Sequence, residues 1–198
     1  MKKIGLFFGC FDPVHRGHIR AAEMFRTAAE LDRVLLVPAN TQYRKFFGPS
    51  AGGVHRLNMC VLAAGGHEGI DVCDFEVRSP RLPYTTDTVK YIRTRIPGAE
   101  IFLCAGEDTA NALPRWACFP ELREWVAFLV ISRAGGPGHP AELFRSGAKV
   151  LYIDAETDGI SSTAVRRRLW AGERVIPELD ENVLCYIREN SLYRNQGK

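Results

Sequence analysis

The chain has 198 residues, of which 46% are hydrophobic and 25% charged, with a formal net charge of +3. That size suits one domain with a sizeable core, residues 1–198, the last helices at about 161–190 packing as its C-terminal part. The charge is too mild to imply a nucleic-acid polymer as partner, and no apolar run is long enough to span a membrane. Six cysteines show no C-x-x-C pair or zinc-like spacing, so free thiols in a reducing cytoplasm are expected.

Ile4 to Phe8 is a short apolar run that reads as a buried strand. Gly9 permits a sharp turn or a close approach to a ligand, and Asp12-Pro13 marks a turn. A helical pattern starts near Arg16 and continues through Ile19, Ala22, Phe25 and Ala29. His15 and His18, three apart at its mouth, can share one face beside unpaired helix N–H groups. Such a pair fits a phosphate site, a metal site or ordinary surface histidines. Gly17 between them leaves room for a bulky ligand.

Val34 to Pro38 reads as a second strand, and 39–53 as a long loop in which Arg44 and Lys45 lie between Tyr43 and Phe46. That loop fits closure on a nucleotide or a solvated excursion equally well. His55 to Ala64 is a helix stopped by Gly65-Gly66, and Ile70 to Val77 has strand character. Tyr84 to Thr88 opens a further helix that Thr85 or Thr86 is expected to cap. Ile101 to Cys104 is a fourth strand running into Gly106-Glu107-Asp108, a turn whose acids face either solvent or sugar hydroxyls. Trp116 reads as core or as a ligand platform.

Val126 to Ile131 and Val150 to Ile153 are the fifth and sixth strands. Ser161, Ser162 and Thr163 then precede a basic helix, where they can cap it or hold phosphate oxygens. Arg166 is one turn in and within reach of the same anion, whereas Arg167 and Arg168 are expected in solvent. A last helix runs from about Asp180 to Glu189. Strands alternate with helices throughout, which predicts an α/β fold with a parallel sheet flanked by helices. Ligands of such sheets bind beyond the carboxyl ends of the strands. Neither a P-loop nor a G-x-G-x-x-G turn is present.

Gly9-Cys10-Phe11-Asp12-Pro13-Val14-His15-Arg16-Gly17-His18 resembles the H-x-G-H segment of the nucleotidyltransferase superfamily. Ile160-Ser161-Ser162-Thr163-Ala164-Val165-Arg166 resembles its I-S-S-T-x-x-R segment. His55-Arg56-Leu57, Phe75-Glu76, Tyr84 to Thr88, Gly106 to Asp108 and Trp116 extend the resemblance to the bacterial nicotinate-nucleotide adenylyltransferases. Cys10 stands where that family usually has threonine or serine, and Pro83 where it commonly has serine.

The resemblance implies a Rossmann-like fold of nucleotidyltransferase type. It implies adenylyl transfer from ATP, with Mg²⁺ carried on the nucleotide, to a pyridine mononucleotide, giving deamido-NAD and pyrophosphate in a cytoplasmic enzyme. His15, His18 and Arg166 would be catalytic. Gly9, Cys10, Phe11, Lys45, Gly106, Asp108, Arg133, Ile160, Ser161, Ser162 and Thr163 would bind ATP. Tyr84, Thr85, Thr86, Trp116 and Ala117 would bind the mononucleotide, and no residue would hold a metal as a dedicated ligand. Transfer to nicotinamide mononucleotide, phosphopantetheine or an alcohol phosphate is the alternative, as is a non-catalytic nucleotide-binding regulator. A homo-oligomer is left open.

Overall fold

The apolar run near the amino end becomes the middle of a sheet. β1 (Lys3–Gly9) lies between β2 (Arg33–Pro38) and β4 (Glu100–Gly106), pairing in parallel with both. β3 (Ile70–Val72) flanks β2, while β5 (Ala127–Arg133) and β6 (Val150–Ala155) extend the other edge. The order is β3-β2-β1-β4-β5-β6 with every pairing parallel, the parallel sheet expected from the alternation in the Rossmann-like arrangement that the resemblance implies. This computed structural model describes residues 1–40, 51–133, 141–155 and 159–194. Lys45 lies outside the described residues.

Buried strands need cover on both faces, and successive side chains supply it alternately. Phe7, Leu36, Leu129 and Ile131 face one layer, which holds α1 (Arg16–Ala28), α2 (Gly53–Ala64), α8 (Ser162–Trp170) and α9 (Glu181–Glu189). α1 contributes Ile19, Ala22 and Phe25, one stripe at helical spacing. Ile4, Leu6, Leu103, Phe128 and Val130 face the other layer. There α4 (Thr85–Arg95) and α6 (Phe119–Trp125) contribute Val89, Ile92, Phe119 and Leu122. No disulfide joins the six cysteines, and among the described residues no helix is long and apolar enough to cross a membrane.

Three local expectations are corrected. The strand expected over Ile70 to Val77 ends at Val72, and α3 (Phe75–Arg78) follows. Asn40 Nδ2 donates to the carbonyls of Glu76 (2.9 Å) and Ser79 (3.3 Å), while Thr88 Oγ1 donates to Glu76 Oε1 at 3.1 Å. A helical turn, unlike a strand, presents those groups together. The acids after Gly106 begin α5 (Glu107–Ala112) rather than a bare turn, as suits carboxylates at a helix start. Finally, α4 is closed by Asp87, whose Oδ2 accepts the Tyr84 N–H at 3.0 Å, and not by Thr85 or Thr86.

Candidate active site

Strand order reverses between β1 and β4, so their carboxyl ends diverge and leave a crevice. A cavity of about 1070 Å³ occupies it. Its walls bring together His15, Gly17 and His18 of the first helix entry, Gly106 and Asp108 after β4, and Ile160, Ser161 and Ser162 before α8. A neighbouring cavity of about 590 Å³ shares His15 and Ile160 but reaches neither the β4 exit nor those serines. The larger cavity is therefore where the sequence's separate phosphate signals meet.

The two histidines form a stacked unit. Their rings stack at 3.7 Å between centroids, and the Phe11 ring meets His18 edge-on at 5.0 Å. His18 Nδ1 accepts the backbone N–H of His15 at 3.1 Å. That bond assigns the proton of neutral His18 to Nε2, making Nε2 a donor. Burial pushes His15 down to about 4, opposed by the charge of Glu178. Burial also pushes His18 well below its ordinary value, with His15 adding to the effect. Both rings are thus neutral donors at pH 7 in the free protein. His15 Nδ1 is buried with no hydrogen-bond partner among the described residues.

Two glycines make this unit possible. A Cβ on Gly17 would lie 3.1 Å from His15 Nδ1 and 3.2 Å from its Cε1, so the group that needs the space is the His15 ring. A Cβ on Gly9 would lie 2.8 Å from the Phe11 ring, which is 1% exposed. Gly9 thus admits a supporting aromatic. Gly9, Cys10 and Phe11 do not line the cavity.

At the opposite wall, Ser161 caps α8, its Oγ accepting the Ala164 N–H at 3.2 Å. Ser162 Oγ donates to the Pro13 carbonyl at 2.9 Å, tying α8 to the loop that carries His15. Thr163 Oγ1 accepts from Arg166 Nη2 at 3.2 Å. Arg166 is enclosed beneath this wall: Nη1 donates to the Asp12 carbonyl at 2.6 Å, and the side chain does not line the cavity. Arg168, expected in solvent, instead grips both Glu178 oxygens at 2.6 Å and Glu173 at 2.7 Å. Arg133 ends β5, beside the Ile131 wall.

Tyr84, Thr85, Thr86, Trp116 and Ala117 form a separate region that does not line this cavity. Trp116 is partly buried against the second core layer, while Tyr84 is exposed. The backbone N–H groups of Thr85 and Thr86 address the Cys118 sulfur, whose thiol is pushed up by burial. No group of three or more His, Cys, Asp or Glu side chains placed to hold a metal occurs among the described residues.

Two buried polar groups, Arg56 and Asp12, support the strand exits without a site role expected from the sequence. Arg56, wholly buried, donates to the carbonyls of Cys10 and Ala39 at 2.7 Å each, joining the exits of β1 and β2. Its spacing from Met59, Cys60 and Ala63 puts it on the inner stripe of α2, a signal that was readable. Asp12, 1% exposed, carried no such signal beyond its turn-forming proline.

A family profile described as cytidylyltransferase-like matches residues 6–168. Two proteins carrying the name "Probable nicotinate-nucleotide adenylyltransferase" are similar along nearly their whole length. The one from Oceanobacillus iheyensis is 33% identical, covering 98% of this chain and 97% of its own. The one from Shouchella clausii is 34% identical and covers 100% of both. Among solved structures, Plasmodium falciparum nicotinic acid mononucleotide adenylyltransferase complexed with NaAD superposes with a TM-score of 0.74 at 21% identity, over 98% of each chain. That likeness speaks for the fold, and the sequence relatives speak for the lineage: the chain belongs to the nicotinate-nucleotide adenylyltransferase family of the nucleotidyltransferases.

Proposed function

We propose that this protein transfers the adenylyl group of ATP to nicotinate mononucleotide, forming deamido-NAD and releasing pyrophosphate. The observation that carries the reading is the stacked His15–His18 pair facing the start of α8 across one switch-point cavity. The family membership agrees with it.

The nucleophile is a phosphate oxygen of the mononucleotide, with a second pKa of about 6, so it attacks the α phosphorus without a general base. One P–O bond forms as the bond to the β phosphate oxygen breaks, in line, and pyrophosphate leaves. What the reaction needs is stabilisation of the charge spread over these oxygens. His18 donates from Nε2 to the α phosphate, and His15 supports the same oxygens. The N–H groups and serine hydroxyls at the start of α8 take the β and γ phosphates, with Arg166 held behind them. Gly106 and Asp108 meet the ATP ribose, and Lys45 and Arg133 assist the nucleotide. Mg²⁺ enters as part of the ATP substrate, held chiefly by its phosphate oxygens.

In this reading the pyridine ring stacks on Trp116. Its carboxylate takes the N–H groups of Thr85, Thr86 and Ala117, displacing the weakly accepting Cys118 sulfur. A nicotinamide would turn its own N–H₂ toward one of those donors and leave it unpaired. Such a loss of about 1–3 kcal/mol gives a ten- to hundredfold preference for the nicotinate form. The test is pyrophosphate release from Mg–ATP with nicotinate mononucleotide, nicotinamide mononucleotide, phosphopantetheine and an alcohol phosphate in turn. The highest kcat/KM is expected with nicotinate mononucleotide. Equal rates for the two pyridines reject the pocket, and turnover only with another acceptor rejects the function.

A further inference from the structure

Four separate parts of the chain meet at Asp12. Its Oδ1 accepts the Ala51 N–H at 2.9 Å and the Tyr193 hydroxyl at 2.8 Å. Arg166 donates to its carbonyl and lies 3.9 Å from Oδ2. The next carbonyl, that of Pro13, accepts from Ser162. Asp12 and Pro13 are therefore the points at which α8 is fastened to the loop that delivers His15. The spacing between the two walls of the proposed polyphosphate site is set there.

Tyr193 reaches this junction from the far end of the chain, 181 residues away, with only 4% of its surface exposed. Its backbone stands at φ 57, and Ser191 before it at φ 53, in the left-handed region that side chains disfavour. A phenylalanine at this position would fill the same apolar space against the first core layer. The hydroxyl adds a donor to the Asp12 carboxylate. Donors on Oδ1 fix the orientation of this buried carboxylate, whose Oδ2 lies 3.9 Å from Arg166 Nη1.

We propose that Tyr193 is a positioning residue for adenylyl transfer, acting through Asp12 to hold Arg166 and the α8 start in register with the histidine pair. This rests on the function proposed above, and the test separates the two. Wild type, Tyr193→Phe, Asp12→Asn and the double variant are compared for turnover of Mg–ATP with nicotinate mononucleotide and, by calorimetry, for binding of inorganic pyrophosphate. Tyr186→Phe serves as control, because its hydroxyl bonds His55 and Asn58 between α2 and α9, away from the cavity.

Tyr193→Phe is expected to lower kcat and pyrophosphate affinity about tenfold, the scale of one lost hydrogen bond to a charged group, while KM for the mononucleotide stays put. Asp12→Asn should act in the same direction, and the double variant should lose no more than Asp12→Asn alone, since both changes break the Tyr193–Asp12 linkage. Tyr186→Phe should lower the unfolding midpoint without changing kcat. Wild-type kcat and pyrophosphate affinity in Tyr193→Phe overturn the inference, whatever happens to its unfolding midpoint. Additive losses in the double variant overturn it too. A wild-type protein that makes no dinucleotide refutes the function instead, and pyrophosphate affinity, which requires no turnover, still judges Tyr193.

Discussion

Replacing Glu76 by glutamine should make the protein's stability less sensitive to pH. Glu76 is 4% exposed, and its Oε1 accepts the Thr88 hydroxyl. Burial pushes its carboxyl up from the usual 4.5 to about 7, against opposing pulls from Thr88, Asn40 and Arg56. The sign follows from proton linkage. An acid that binds its proton more tightly when folded stabilises the fold below the unfolded value, and that contribution disappears as pH rises through about 4.5 to 7. The span corresponds to about 3 kcal/mol, lost by pH 8. Glutamine copies the protonated form and keeps an acceptor for Thr88. Glu76→Gln should thus be nearly neutral at pH 5 and stabilising by about 2–3 kcal/mol at pH 8. Urea unfolding of both proteins from pH 5 to pH 8.5, with equal slopes, measures this. His15 works the other way: its depressed value makes stability rise with pH between about 4 and 6.5. Both proteins share that trend, so their difference isolates Glu76. A difference that stays flat with pH would refute the reasoning. So would a glutamine variant less stable at pH 8, which would show the carboxylate ionised and held by Arg56.

His18→Ala should keep the fold and lose about a hundredfold in kcat at saturating ATP, the effect of removing one donor to developing charge, or about 3 kcal/mol. Retained turnover would show that the histidine is a bystander. Gly9→Ala should destabilise by about 1–3 kcal/mol, because its methyl meets a Phe11 ring already wedged between Phe7 and His18. A urea midpoint unchanged from wild type would deny that contact. Arg168→Lys should lower the thermal midpoint more than Arg167→Lys, since the planar fork on Glu173 and Glu178 is lost while Arg167 is exposed. Equal midpoints would place Arg168 among ordinary surface cations.

What was legible in the sequence was local. β1, the His15–His18 spacing and the Ser161 cap announce themselves within a few residues, because period and capping chemistry act over one or two turns. The alternation of elements was enough for the sheet, and the switch point then explains why distant motifs share one cavity. The strand composition of Phe75-Glu76-Val77 suggests a longer β3, whereas the bonds of Glu76 go to Asn40 and Thr88. The partners of Arg166 and Arg168 lay out of view for a related reason. Their partners, Asp12 and Glu178, come from other segments, and helical spacing says nothing about what is packed opposite. Tyr193 lay furthest from view, because no periodicity links it to residue 12.

The hydrogen bond from the His15 backbone to His18 Nδ1 has a bearing on the fate of ATP that never meets its partner. Water becomes a competent nucleophile toward phosphorus only when something accepts its proton. In neutral His18 the one nitrogen able to do so is already engaged by the main chain, and the other carries hydrogen. The proposed mononucleotide acceptor needs no such help, as its phosphate arrives already ionised. In the proposed reaction, a ring held in this tautomer offers bound water no base at His18.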